Sequence, residues 1–482
     1  PSLLAMAEDS YNNARYTDGL AYLTRADKVL NKFNHNPYDG TYSYLKGLCE
    51  YGLGMIDEAY ESFFKAAWSC NAVSSAMTFV AAIDGRRGDF QKMKEHAVTA
   101  MKKEADHAVC QTYAAIADYK LGDGHAAVSR LEDVLSRDKL DHFARFMLAL
   151  YTDKVGEFYG LLNSNPSQTC IDLAFNLLDA GLVEETIVLL EGLSASADIS
   201  TMAHYVLAYA YEILGNADKA KANRDAVSNR PFVDTFPYRL EEITVLRSAV
   251  AASGDDYTAM YLLGCILYDK TQYEEAAECF RQTIQMKPDF YIPYRNLAIA
   301  YFSKLGRQEE ALELLKKACQ VKPKDDVLVK ETNYVMAKLG ADGNERLAFL
   351  LENMPESPSD NITWDLADAY SNVYQYQKAL DTLKNHEFVA AECQETYLTE
   401  AYTFAQCAKG RMLREEGKLE EALECFKQAQ IIPANFRAGW WDTQALYYAV
   451  YFEAETLKML GKEEEARTVV SRLLPFIHSG YS

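Results

Sequence analysis

The sequence predicts an all-α fold, a right-handed superhelical solenoid of roughly thirteen helical hairpins. Three observations carry that expectation. Gly54, Gly88, Gly122 and Gly156 stand 34 residues apart, Gly181 and Gly215 repeat the interval, and so do Gly306 and Gly340. The phrase KLGRQEEALELLKKA at 304–318 returns as REEGKLEEALECFKQA at 414–429, 111 residues later from Gly306 to Gly417. After these glycines comes a short polar step and then an Ala-centred amphipathic run. A fixed period of about 20–50 residues marks stacked supersecondary units, none of which buries its apolar face alone.

Each element follows from its residue types. The first helix of a hairpin needs a small residue where the second crosses closest, because a larger one would push the pair apart. Along the chain that place holds Gly47, Ala81, Ala115, Ala174, Ala208, Gly264, Ala298, Ala367, Gly410 and Ala454. The glycine after the first helix reaches the left-handed conformation that ends it. Acidic residues then open the second helix at the positive end of its dipole, as in Asp57-Glu58-Ala59, Glu274-Glu275-Ala276, Glu309-Glu310-Ala311, Glu420-Glu421-Ala422 and Glu464-Glu465-Ala466. Recurring with the repeat and facing solvent, these pairs are structural and not carboxylates set for acid and base work. Weaker copies lie near 141–163, 326–354 and 434–446. The segment AAWSCNAVSSAMTFVAAI at 66–83 carries Ser, Asn and Thr throughout, so it reads as a helix end, a turn and another helix rather than a membrane span. GLLNSNPSQ at 160–168 shortens one interval, and SNRPFVDTFPYRLEE at 228–242 inserts extra chain. The expected division is an N-terminal array over 1–230 and a C-terminal array with capping helices over 231–482. VVSRLLPFIHSGYS reads as a last helix running into a short tail.

The period of 34 with a helix, turn, helix order resembles the tetratricopeptide repeat over nearly the whole length. The likeness is strongest at 257–323, where Leu263, Gly264, Tyr273, Ala276, Phe280 and Pro288 fall at the consensus Leu, Gly, aromatic, Ala, aromatic and Pro. One repeat later come Leu297, Ala298, Ala311, Leu315, Ala318 and Pro323, with one residue inserted near Leu305. A narrower resemblance covers the C-terminal half. FPYRLEEITVLRSAV at 236–250, YLLGCILYDKTQYEEA at 261–276, YRNLAIAYF at 294–302, KETNYVMAKLG at 330–340, ERLAFLLEN at 345–353 and GRMLREEGKLEEALECFKQAQIIPANF at 410–436 are similar to one family of bacterial proteins of unassigned function. In that family a β-sandwich, similar to sugar mutarotases and carbohydrate-binding folds, precedes a helical array. The resemblance implies that this chain, which begins PSLLAMAEDSYNNARY without an initiator Met, is the helical half of a larger protein. It also implies an acidic pair in a Trp- and Gly-rich loop. Glu392 and Glu395 keep the acidic spacing, while Ala391, Cys393 and Gln394 replace the aromatic and tight-turn residues.

Composition removes several functions. A net charge of -21 opposes nucleic acid as a partner, since phosphate backbones are bound by clustered Lys and Arg. The ten cysteines are scattered, with no CxxC and no His pair at ligand spacing, so no metal and no cofactor is expected. As small apolar helix residues they fit a reducing compartment, and with no targeting segment visible the expected location is cytoplasmic, off the membrane. There is no Gly-rich phosphate loop, GxSxG or HExxH, and the eight histidines are isolated from one another, so the chain is not expected to be an enzyme. Asn361-Ile362-Thr363 matches a glycosylation acceptor by spacing alone.

The inner groove is then the informative surface. The fifth position of the first helix points toward it in the repeat family, and here holds Tyr44, Phe146, Tyr205, Tyr261, Trp364 and Tyr451. Half-packed aromatic residues offer contact area at low entropy cost, although the repeat consensus itself favours an aromatic there for packing against the neighbouring hairpin. The Lys and Asn clamp by which some repeat domains hold chaperone carboxylates is absent, and Arg295, Asn296 and Arg411 are the nearest remnants. Trp440 and Trp441, adjacent on one helix, cannot both face its core, so one is a bridge or an exposed anchor. The expected function is a non-catalytic scaffold that binds a protein or peptide segment, or its own upstream domain, in the concave groove through Tyr44, Tyr205, Tyr261, Arg295, Trp364, Arg411 and Tyr451. The alternative is an accessory to a carbohydrate-active β-sandwich, with a sugar site at the junction near Glu392, Glu395, Trp440 and Trp441.

Overall fold

The computed structural model describes residues 2–30, 32, 39–104, 107–162, 164–196, 199–228, 235–389, 394–437 and 444–472. They form α-helices joined by short turns, with no strand among the described residues. The chain divides into two compact units, Pro1–Lys287 and Pro288–Ser482.

Unit 1 pairs α1 (Ser2–Asn12) with α2 (Tyr16–Leu30), α3 (Thr41–Gly52) with α4 (Ile56–Ala66), α5 (Val73–Arg86) with α6 (Phe90–Met101) and α7 (Ala108–Lys120) with α8 (Gly124–Arg137). It continues with α9 (His142–Tyr151) and α10 (Val155–Tyr159), α11 (Pro166–Asp179) and α12 (Val183–Ser196), and α13 (Thr201–Ile213) and α14 (Ala217–Ser228). Then comes a single helix, α15 (Leu240–Ala252), and a last hairpin of α16 (Tyr257–Asp269) and α17 (Tyr273–Met286). Unit 2 pairs α18 (Tyr291–Ser303) with α19 (Gln308–Val321), α20 (Asp326–Lys338) with α21 (Gly343–Asn353), α22 (Asp360–Asn372) with α23 (Tyr376–Lys384), α24 (Gln394–Glu415) with α25 (Leu419–Gln428) and α26 (Gln444–Met459) with α27 (Glu463–Ser471). The described helices are thus thirteen hairpins and the unpaired α15.

The crossings have the expected cause. A Cβ added at Gly47 would stand 2.7 Å from the Phe63 ring, at Gly264 2.7 Å from Phe280, and at Gly410 2.6 Å from Phe426. Ala59, Ala276 and Ala422 of the second helices are fully buried, while the acidic pairs beside them are mostly exposed. Gly54 and Gly306 end their helices at φ +74° and +67°, a region that side chains rarely adopt. Gly156 departs from the pattern. It lies inside α10, and Asp153 (φ 59°) ends α9 instead, since a short polar side chain tolerates the left-handed region. The segment 66–83 is the end of α4, a turn and most of α5, and no helix of the described residues is long and apolar enough to cross a membrane.

The compact units part after Lys287, not near residue 230 where extra chain is inserted. The reason is that α15 and its neighbours are tied back to earlier hairpins. Arg239 Nη1 and Tyr238 OH reach Asp172 Oδ1 of α11 at 3.1 and 3.2 Å, and Arg239 lies over the Phe175 ring at 5.2 Å. Gln272 Nε2 donates to the carbonyl of Asn13 at 2.9 Å, across 259 residues of chain. Earlier hairpins meet later ones in the same way, for Tyr51 OH of α3 donates to Asp179 Oδ1 of α11 at 2.7 Å and Tyr113 OH of α7 to the Asn176 carbonyl at 3.0 Å. Unit 1 therefore curls until its inner helices face one another.

Candidate functional site

In unit 2 the first helices of three successive hairpins present one face each to a shared groove of about 690 Å³. Trp364 and Asp368 of α22, Tyr397, Glu400, Phe404 and Arg411 of α24, and Tyr448 and Phe452 of α26 line it. Their spacings of three, four and seven residues put them on single helix faces. The aromatic side chains are open, with Tyr397 62%, Phe404 58% and Tyr448 62% exposed. Trp364 meets Tyr397 edge-on at 6.5 Å and packs against the core formed by Leu380, Leu398 and Phe436. Its indole Nε1 is buried without a hydrogen-bond partner among the described residues.

Two charges at this surface have no ion-pair partner among the described residues. Arg411 is exposed and lies 5.6 Å from the Phe452 ring centre, but makes no ion pair with a described residue. Glu400 is likewise exposed and unpaired among them. Asp368 is compensated by Arg346 at 3.5 Å and accepts from Asn372 at 3.0 Å. Nearby on α22, burial pushes the Asp365 carboxyl up to about 6, against the opposing pull of Asn333 and Arg346. The surface holds no set of three or more metal-ligating side chains among the described residues.

The other residues singled out in the sequence are dispersed. Tyr44 is half-buried, 5.8 Å from Phe63 and 6.3 Å from Phe79. Tyr205 is 1% exposed and its hydroxyl donates to Asp256, so it presents no face to a ligand. Phe146 is fully buried 5.4 Å from Phe158, and Tyr261 is buried 6.0 Å from Phe280. Arg295 makes a two-pronged pair with Glu331, its Nε at 2.7 Å and Nη2 at 2.5 Å. Tyr451 is exposed beside Phe452 and does not line the groove. Glu392, Trp440, Trp441 and the side chain of Glu395 fall outside the described residues. Only Trp364 and Arg411 of that set come together. The fifth-position rule missed Tyr397, Phe404, Tyr448 and Phe452, although the heptad between Tyr397 and Phe404 and the four-residue step from Tyr448 to Phe452 signal shared faces.

Comparison with known families matches residues 261–326 and 405–431 to the tetratricopeptide repeat. The first matched segment takes in most of α16 and all of α17, α18 and α19, and the second the C-terminal part of α24 and all of α25. Among solved structures, yeast Tom70 is 14% identical, with 90% of this chain and 99% of that one covered at a TM-score of 0.25. MamA from Desulfovibrio magneticus RS-1 is 14% identical over 45% of this chain and 97% of its own, with a TM-score of 0.23. YrrB, described as a TPR protein with an unusual peptide-binding site, is 15% identical over 49% of this chain and 96% of its own, with a TM-score of 0.19.

Proposed function

We propose that the protein is a non-catalytic interaction scaffold, and that the α22/α24/α26 groove takes an extended peptide segment of a protein partner. The observation that carries this reading is the coincidence of open aromatic faces at Tyr397, Phe404 and Tyr448 with the guanidinium of Arg411, which has no ion-pair partner among the described residues. Rigid aromatic residues around a central arginine are the composition of interface hot spots, because they bury area at small entropy loss and fix one charged group of the partner. An acidic side chain of the peptide pairs with Arg411. Its apolar side chains lie between the rings.

Selection from a displayed peptide library against the full chain tests this. The expected peptides share an acidic residue flanked by apolar ones. In fluorescence polarisation their affinity falls at least about tenfold with Arg411→Ala or Phe404→Ala, equivalent to about 1.4 kcal/mol, and is unchanged with Tyr334→Ala, an exposed aromatic of α20 outside the groove. Recovery of no peptide, or equal binding by all three variants, overturns the reading.

A further inference from the structure

A second cavity, of about 470 Å³, lies within unit 1 and shares no residue with the groove. It forms where unit 1 curls. Gly85 and Gly181 make the approach of α5 to the turn after α11 feasible, since a Cβ at Gly85 would stand 2.9 Å from the Ala180 carbonyl oxygen and one at Gly181 2.6 Å from the Arg86 Cα. That contact brings Arg86 and Asp179, 93 residues apart in sequence, to one cavity wall.

Two charges of the wall, one of each sign, make no ion pair among the described residues. Arg86 lies 5.9 Å from the Tyr51 ring centre and has no carboxylate partner among the described residues, whereas its neighbour Arg87 is paired with Asp57. Asp179 accepts a hydrogen bond from Tyr51 OH at 2.7 Å and makes no ion pair among the described residues. The remaining charges satisfy each other, for Arg239 Nη2 and Nε reach Glu241 at 2.9 and 3.3 Å. Burial pushes the Asp179 carboxyl up to about 6, against the pull of the Tyr51 hydroxyl, Arg86 and Arg239. Phe79 and Phe175 supply apolar wall.

One unpaired guanidinium and one unpaired carboxylate in a single cavity call for a ligand that carries one charge of each sign. An anion alone would leave Asp179 uncompensated and add a second negative charge near it, and a cation alone would leave Arg86 unpaired. We infer that unit 1 binds a small zwitterion with an apolar side chain, a free α-amino acid or a dipeptide, with its carboxylate on Arg86, its ammonium on Asp179 and its side chain against Phe79 and Phe175. The volume falls in the range of about 300–1,000 Å³ common to small-molecule sites.

Isothermal titration calorimetry on the full chain, at a pH above the titration of Asp179, tests the inference. The probes are leucine, phenylalanine and the dipeptide Leu-Phe, each beside a form lacking one charge: N-acetylleucine without the ammonium, leucinamide without the carboxylate. The expected result is one molecule bound per chain, with each blocked form weaker by about tenfold or more. Arg86→Gln and Asp179→Asn weaken it likewise, whereas Arg87→Gln and the groove variant Arg411→Ala leave it unchanged. Leucine and Leu-Phe compared directly decide between amino acid and dipeptide. Absence of heat with every zwitterion up to roughly millimolar concentration, or equal binding of N-acetylleucine and leucine, overturns the inference, and because both readings use the unmutated chain they hold even if a variant fails to fold.

Discussion

Asp179 carries the residue-scale argument because its titration is tied to folding. Its carboxyl rises from an ordinary value of 3.8 to about 6 through burial, opposed by the Tyr51 hydroxyl and by Arg86 and Arg239, and reinforced by Glu241. The folded protein therefore holds this proton more tightly than the unfolded chain. Stability falls as pH rises from about 4 to about 6, and the penalty is fully present above that window. Asn keeps an oxygen for the Tyr51 hydroxyl and removes the charge, so Asp179→Asn is expected to stabilise unit 1 by roughly 1–2 kcal/mol at pH 8 and to change nothing below pH 4. Urea midpoints of both proteins at the two pH values measure this; parallel displacement at both would show that burial of the charge is not the cause. Neither Asp179 nor Arg86 was legible in the sequence. Each sits at a helix end where polar residues are ordinary, and only the chain's return across 93 residues joins them.

At the scale of the element, the hairpin was legible because its determinants are local. Small residue, left-handed glycine, acidic pair and buried alanine all fall within one period, so Gly47, Gly264 and Gly410 could be assigned their crossings from the sequence. Ala276→Glu puts a charge where no solvent reaches and is expected to lower stability by about 3 kcal/mol, read as a shift in the urea midpoint. An unchanged midpoint contradicts the crossing. The single helix α15 was not legible as an unpaired element, since its apolar pattern resembles that of any other first helix and its attachments are distant. Arg239 at its start is half-buried between Asp172, Glu241 and the Phe175 ring. Arg239→Met keeps the apolar stem but leaves two acids unpaired, and is expected to cost about 1–3 kcal/mol, with Arg247→Met, whose pair with Glu275 is exposed, near zero. Equal losses in the two variants would mean that α15 is held by its apolar face alone.

For the whole molecule the governing quantity is the net charge of -21, which makes the folded chain repel itself. Surface ion pairs oppose that repulsion, but exposed pairs contribute about 0–1 kcal/mol each and are screened by the same salt. With so large an excess of one sign the long-range repulsion outweighs them, so the melting temperature is expected to rise as salt is raised from about 0.01 to 0.15 M. Protonation acts in the same direction, and two kinds of carboxyl bound the window. Asp179 and Asp365, both raised by burial to about 6, withdraw stability as pH rises through that value. Asp39, held below 3.8 by hydrogen bonds from Thr41 and Asn71, and Glu191, held below 4.5 by the Tyr211 hydroxyl and Lys219, lend stability above those values that is lost as pH falls through their folded titration. The gain ends and the loss sets in near about pH 4, below the pH 5–8 range in which stability maxima commonly fall. Melting temperatures across pH at fixed ionic strength are therefore expected to peak on the acidic side, and added salt is expected to raise the neutral limb more than the peak, because the net charge there is smaller. A peak at pH 7 or above would mean that carboxylates held low by partners on folding outweigh those raised by burial.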